Sequence, residues 1–382
     1  LREWIKVAAD RDPEAFEKRL AFDKLNIDQA RQLLGTIPAA SELPAWTYVL
    51  NEVLLRVTEL HESLFSPDLL ARCGFVSAEK PVPFEELLVP FVEVARARIV
   101  AASRGQFSRL PIEVRADFER ALLKRLSELS ARVLLVEFRT FLASSQLAGR
   151  RPIGSAVRAQ SRENYLRFIE ETYANGWAGL FGEYPVLARL LATALIQWVD
   201  ATTEFLGRLE RDLSEVRRVF FCNRDLGDLI DVRSGLSDPH DGGRTVAVLT
   251  FRSGARLVYK PKTLALEAAY FRFVDWLNGL GSPLPFRCLT ILDRGDYGWV
   301  EFVENLPCNT ELEVERFYRR SGMFLSLVYV FNGIDFHFEN VIACGEHPVP
   351  IDLETIYHHA PEVFAEAADP VDPVAERLQD SV

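Results

Sequence analysis

Asn332-Gly333-Ile334-Asp335-Phe336-His337-Phe338-Glu339-Asn340, followed by Ile351-Asp352-Leu353-Glu354, is the stretch on which the fold of this chain is decided. Asp335 and Asn340 stand in the spacing D-x-x-x-x-N. Two short apolar runs, 341–343 and 349–351, lie between Asn340 and Asp352 and are joined through Gly345. Such a pair of runs predicts a hairpin, and a hairpin there returns Asp352 to the side of Asn340. A carboxylate can take the proton of an attacking hydroxyl, while an amide oxygen and a second carboxylate are oxygen ligands of the kind Mg²⁺ takes. Acidic and amide residues beside a hairpin are also ordinary turn formers, and the spacing alone recurs by chance. The decision therefore rests on the residues upstream.

The composition changes after Ser237. Residues 245–251, the Ser253-Gly254 turn and residues 256–259 predict a hairpin rich in β-branched and aromatic side chains. A helix is expected over 263–277, a strand pair over 287–292 and 297–303 turned at Asp293-Arg294-Gly295, and a further helix over 314–331. Two strands, a helix, two strands and a helical continuation is the order of a kinase small lobe leading into a large lobe. Protein kinases also place their base and a magnesium-binding Asn as D-x-x-x-x-N, with a second metal-binding Asp on the next hairpin. Lys260, at the end of the second strand in Tyr259-Lys260-Pro261-Lys262, can then reach the α and β phosphates of ATP. A strand-end lysine taken alone is most often solvated; its order ahead of Asp335, Asn340 and Asp352 reverses that preference.

Other residues carry weaker signals. In Ser237-Asp238-Pro239-His240-Asp241-Gly242-Gly243-Arg244, Gly242 and Gly243 could let backbone approach a phosphate, and His240 could bond a phosphate oxygen or orient the loop. The run does not spell G-x-G-x-x-G, and an ordinary turn before a hairpin explains it as well. His337 could bond the metal-binding acid or a phosphate, or serve as a structural hydrogen-bonding group. Glu354 could assist the metal, and Glu267, on the helix after Lys260, could orient that lysine; both could equally be solvated carboxylates. His358-His359 would suggest a metal only with a third ligand, and no spacing supplies one. Residues 332–382 hold eleven Asp and Glu against one basic residue, Arg377, a crowding that magnesium would relieve.

Around this core the sequence excludes several classes. With 382 residues and 48% hydrophobic content the chain can bury a substantial core across two or more domains. A net charge of -11 gives no general attraction to nucleic acid. Cys73, Cys222, Cys288, Cys308 and Cys344 lie far apart with no C-x-x-C pair, which fits a reducing, cytoplasmic setting rather than a disulfide framework. No run reaches the roughly 18 apolar residues of a membrane span. Residues 12–209 read as mostly helical, with apolar positions at intervals of three and four over 46–64, 91–98, 118–141, 163–175 and 186–205. The expected class is α+β: a helical region over 1–210, a kinase-like small lobe over 211–310, and the start of a large lobe over 311–382. The start at Leu1 and the end at Val382 are read as cuts in a longer protein.

The motifs resemble the dehydratase domain of class II lanthipeptide synthetases, the LanM family. The resembling segments are 237–244, 257–262, 295–302, 333–343 and 347–357. The form D-x-H-x-x-N also resembles lipid kinases. The resemblance implies an enzyme that uses ATP and Mg²⁺ to phosphorylate Ser and Thr in a ribosomally made precursor peptide bearing a leader, then eliminates phosphate to leave dehydroalanine and dehydrobutyrine. It assigns Asp238 and His240 to the active centre, Lys260 to phosphate, Asp335, His337 and Asn340 to phosphotransfer, and Asp352 with Glu354 to the metal region. It further implies elimination residues and a zinc-holding cyclase domain downstream. Where the family commonly has Gly, this chain has Ser237. A lipid or small-molecule kinase, or an inactive kinase-like module, remains open on the residues alone.

Overall fold

The computed structural model of the chain describes residues 1–9, 12–22, 24–34, 43–60, 73–76, 79–146, 156–174 and 177–357. His358 and His359 lie outside the described residues. The chain forms two compact units, Leu1–Val49 and Leu50–Val382.

The first unit opens with three short helices, α1 (Arg2–Ala9), α2 (Pro13–Phe22) and α3 (Ile27–Leu34). Asn26 and Gln29 cap α3 reciprocally, each side-chain oxygen accepting the other's backbone N–H at 2.9 Å. Phe16, Leu20 and Ala30 form the small core, with Trp4 set edge-on to Phe16 at 5.1 Å.

Helix α4 (Ala45–Leu60) is followed in the second unit by α5 (Glu85–Ala102), α6 (Gln106–Arg109), α7 (Ile112–Gln146), α8 (Ala156–Ala174), α9 (Ala178–Glu183) and α10 (Pro185–Phe221). The apolar periodicity located α4, α5, α7, α8 and α10, although α7 and α10 run well past the periodic stretches; the short helices α6 and α9 were not anticipated. Pro185 stands at the first position of α10, where its fixed φ suits a helix start and its missing N–H costs nothing. Helix α10 passes unbroken through residue 210.

A five-stranded antiparallel sheet follows, in the order β1-β2-β3-β5-β4. Its strands are β1 (Leu229–Arg233), β2 (Ala247–Phe251), β3 (Arg256–Lys260), β4 (Ile291–Asp293) and β5 (Gly298–Glu301). Helix α11 (Ala265–Gly279) connects β3 to β4, and α12 (Glu311–Val330) leads to the hairpin β6 (Val341–Cys344) and β7 (His347–Pro350). The order matches the kinase-like small lobe and large-lobe start expected from the sequence, and the mixed α+β class holds. Strand β1 was not anticipated. Helix α12 starts earlier than its periodicity suggested because Thr310 caps it, accepting the Glu313 N–H at 3.2 Å, while Glu313 reaches back to the Asn309 N–H at 2.5 Å.

Pleating gives the sheet two different faces. Tyr259 pairs with Trp299 on one face, where Phe205 of α10 meets the Tyr259 ring at 5.1 Å. The same helix presents Asp212, whose Oδ2 accepts from the Tyr297 hydroxyl at 2.6 Å and the Trp299 indole at 2.9 Å. Arg208 donates to the Tyr259 hydroxyl at 2.6 Å and lies over the Tyr297 ring. Burial opposes the charged form of Asp212, but the Trp299 and Tyr297 hydrogen bonds and the Arg294 guanidinium outweigh it and hold the carboxyl below its ordinary range. On the other face Val258 pairs with Val300, and both join a cluster with Phe271 and Val274 of α11, Phe324 of α12, Val349 of β7, and Leu353 and Ile356. That cluster joins the sheet, α11 and the β6–β7 hairpin into one core.

Candidate active site

Lys260 ends β3 opposite Gly298 and is buried. A Cβ at Gly298 would come within 2.4 Å of Leu264 Cδ1 and 2.8 Å of the Leu292 carbonyl oxygen, so only glycine lets Leu264 lie against the strand. Leu264 precedes α11, and the first turn of α11 carries Glu267, itself buried. Lys260 Nζ and Glu267 Oε1 are 3.8 Å apart, an ion-pair distance longer than a hydrogen bond. Glu267 Oε1 is buried and has no hydrogen-bond partner. Lys260 instead donates to the backbone oxygen of Ile351. Burial, only partly offset by Glu267, pulls the Lys260 ammonium below its usual pKa.

Ile351 follows β7 and precedes Asp352. Its N–H donates to the Asn340 carbonyl at 2.9 Å, so the hairpin does return Asp352 to Asn340. The loop before β6 is folded tightly. Asn332 (φ 48°) and Asp335 (φ 64°) both adopt the left-handed region, which Asn and Asp enter more readily than most side chains. The Asn340 side-chain amide donates to the Asp335 carbonyl at 2.9 Å, and His337 Nε2 lies 3.4 Å from Asp335 Oδ1. The Glu339 N–H donates to His337 Nδ1 at 3.2 Å, which sets the ring proton on Nε2, facing the Asp335 carboxylate. Thr355 donates its hydroxyl to the Ile334 carbonyl, and the Tyr357 N–H donates to the Phe331 carbonyl at 2.7 Å, so the segment after Asp352 clamps the loop from outside.

Lys262 takes a place that sequence reasoning had left unassigned. Its Nζ donates to Asp352 Oδ1 at 2.8 Å and Glu354 Oε2 at 2.7 Å, and lies 3.7 Å from Glu267 Oε1. Burial works against charge on both Lys262 and Asp352. The hydrogen bonds between them, with that from Lys262 to Glu354, outweigh it, raising the lysine and lowering the aspartate. The spelling Lys260-Pro261-Lys262 was the available signal: a proline between two lysines ends the strand and sends the second in a different direction from the first.

The turn of Asp238, His240, Gly242 and Gly243 is built separately. His240 and Arg244 exchange backbone hydrogen bonds at 3.0 and 2.9 Å around Asp241, Gly242 and Gly243, all at positive φ. Gly243 has a packing reason of its own, since a Cβ there would meet Gln197 of α10 at 3.0 Å. Ser237, in place of the glycine common in the resembled family, accepts the Val246 N–H at 3.1 Å and fastens the turn to β2. Asp241, Gly242 and Arg244 line an open polar cavity of about 560 Å³ with Glu204, Arg208, Pro261 and Asp296. Pro261 lies between Lys260 and Lys262 in the chain, so turn and lysines flank the same strand end.

Lys260, Glu267, Asp335, His337, Asn340, Asp352 and Glu354 are thus joined by successive contacts, while Asp238 and His240 stand in the neighbouring turn. Among the described residues no three His, Cys, Asp or Glu side chains converge as a complete metal cage. An amide oxygen and two carboxylates suit Mg²⁺, which is usually held by one or two carboxylates together with water and substrate phosphates. The buried, unpartnered Glu267 Oε1 beside two lysines is consistent with a site whose cations are shared with such a ligand.

Comparison with known proteins agrees with the motifs. A family model described as "Domain of unknown function (DUF4135)" matches residues 184–382, and the chain belongs to that family. The chain is 28% identical over 207 residues to the Lacticin 481/lactococcin biosynthesis protein LcnDR2 of Lactococcus lactis subsp. lactis. That match covers 51% of this chain and 22% of the relative, so the chain spans well under half of the relative's length. No helix among the described residues is long and apolar enough to cross a membrane.

Proposed function

We propose that this chain is the phosphotransfer part of a lanthipeptide dehydratase: with ATP and Mg²⁺ it phosphorylates Ser and Thr side chains of a ribosomally made precursor peptide. Elimination of the phosphate then leaves dehydroalanine and dehydrobutyrine. The observation that carries the reading is the chain of contacts through Ile351, which joins Lys260 to Asn340 and holds Asp352 between them. The likeness to a protein named for lacticin 481 and lactococcin biosynthesis supports the peptide substrate.

Each residue then has a task. Lys260, fixed at the strand edge, offsets charge on the α and β phosphates. Asp335 accepts the proton of the attacking hydroxyl, with His337 Nε2 orienting its carboxylate. Asn340, Asp352 and Glu354 would hold the metal, which would supply positive charge opposite the phosphate oxygens. Asp238 and His240, in the turn beside the strand end, complete the active centre. In the later elimination phosphate leaves far more readily than hydroxide once the α proton is removed. The intact protein, acting in the cytoplasm, would add the remaining elimination residues and a cyclase domain.

The test is intact-mass analysis of the cognate precursor. The present chain with ATP and Mg²⁺ should add about 80 Da per phosphorylated side chain, and the full-length parent should give successive losses of about 18 Da as water is eliminated. A precursor unchanged by a folded parent, or phosphate appearing on a lipid or small alcohol instead, overturns the proposal.

A further inference from the structure

Lys262 contacts the carboxylates that the proposed function gives to the metal. Its ammonium is 2.8 Å from Asp352 and 2.7 Å from Glu354, and 3.7 Å from Glu267. A divalent cation bound to the same two oxygens would sit about 2.1 Å from each, in the space the ammonium occupies, and two cations cannot share it. Lys260 cannot vacate its place in the same way, because it is buried and tied to the Ile351 carbonyl. Lys262 lies beyond Pro261, outside the strand, half-buried on a flexible four-carbon stem. It also has somewhere to go: Glu267 Oε1 is buried without a hydrogen-bond partner, within a small displacement of Nζ.

We infer that Lys262 is the exchangeable counter-ion of the metal-binding carboxylates, holding Asp352 and Glu354 in register until Mg²⁺ arrives and then moving to Glu267 and the phosphates. The inference rests on the phosphotransfer reading of this site. Its physical basis is charge balance. Three carboxylates face two ammonium groups here, and crowded carboxylates with no cation would repel one another apart. Lys262 keeps the ligands preformed, at the expense of affinity for a cation that comes without nucleotide. A phosphate chain supplies new partners for the displaced ammonium, so metal and nucleotide are expected to bind together far better than metal alone. Lys262 is on this account a positioning residue that discriminates metal-nucleotide from free metal.

The test measures Mn²⁺ binding to the full 382-residue chain by electron paramagnetic resonance, with and without a non-hydrolysable ATP analogue, in wild type, Lys262→Met, Lys262→Gln, Lys262→Arg and Asp352→Asn. Circular dichroism of each variant checks folding. Removing the competing charge in Lys262→Met or Lys262→Gln should tighten binding of Mn²⁺ alone about tenfold and shrink the gain from the analogue. Lys262→Arg should restore the weak wild-type value, and Asp352→Asn should bind least. A residue that merely braces the site would give weaker, not tighter, binding on removal. Unchanged or weaker Mn²⁺ binding in both neutral variants, with Asp352→Asn still defective, overturns the role of Lys262 and leaves the site intact. Binding by Asp352→Asn equal to wild type, or none in any variant, removes the phosphotransfer site and the inference with it.

Discussion

Lys260 and Asn340, eighty residues apart in sequence, are both bonded to the backbone of Ile351: the lysine donates to its carbonyl, and its N–H donates to the Asn340 carbonyl at 2.9 Å. The small lobe and the β6–β7 hairpin therefore meet at the main chain of Ile351, a junction that any residue other than proline at 351 can keep. What varies with sequence is the charge arranged around that junction, and the predictions below concern it.

Asp335→Asn and Asp352→Ala should each lower phosphate transfer to the precursor by at least about a hundredfold, the scale of a lost general base or of lost charge stabilisation. Both residues are partly exposed, so far-UV circular dichroism should be unchanged. Phosphopeptide yield by mass spectrometry is the readout, and wild-type turnover in either variant would remove the assignment.

Lys260 and Glu267 are both buried and 3.8 Å apart, too far for a hydrogen bond but close enough to matter in a poorly solvated site. A double-mutant cycle of Lys260→Met and Glu267→Gln, followed by urea unfolding, should give a coupling of about 1–3 kcal/mol. Additive effects would mean that Lys262 already neutralises Glu267.

Asp117 in α7 faces Asp231 in β1, and burial first, then the neighbouring carboxylate, pushes its pKa up to about 6. The folded state thus holds a proton that the unfolded chain gives up near pH 4. The associated stability is complete below that lower value and is lost as pH rises through about 6. Asp117→Asn should flatten the dependence between pH 4 and 7 and raise stability at pH 7.5 by about 1 kcal/mol once solvent screening is discounted. Urea midpoints across pH would decide it; a steeper slope in the variant contradicts the pairing.

Gly298→Ala should destabilise the chain by about 1–3 kcal/mol, because the added methyl meets both Leu264 and the Leu292 carbonyl. Since Leu264 introduces α11, nucleotide affinity should fall along with the thermal midpoint. An alanine variant with wild-type melting would show that Leu264 can shift without consequence.

Much of this was legible in the sequence because the decisive residues are local. D-x-x-x-x-N, the glycine of the hairpin and the apolar runs beside it lie within seventeen residues, and the structure folds the two runs into a hairpin as their spacing implied. Strand β1 was missed because Leu229-Ile-Asp-Val-Arg233 is short, lies at a sheet edge and carries a carboxylate in its centre. The second half of α10 faded from the apolar pattern because the face it buries carries Arg208 and Asp212, whose partners are tyrosine, tryptophan and arginine side chains. The contact of Lys262 with Asp352 spans ninety residues, and nothing in local spacing announces a pairing of that range.

Helix α10 has a consequence for how this protein can be divided. At 37 residues it is a rod about 55 Å long, its early turns packed among helices and its later turns supplying the polar anchors of the sheet. A fragment begun at β1 would hand Tyr259, Tyr297 and Trp299 to water, so a piece that keeps the sheet covered has to start at Pro185. The family match begins at residue 184, one residue before the rod, and so takes in rod and lobe together.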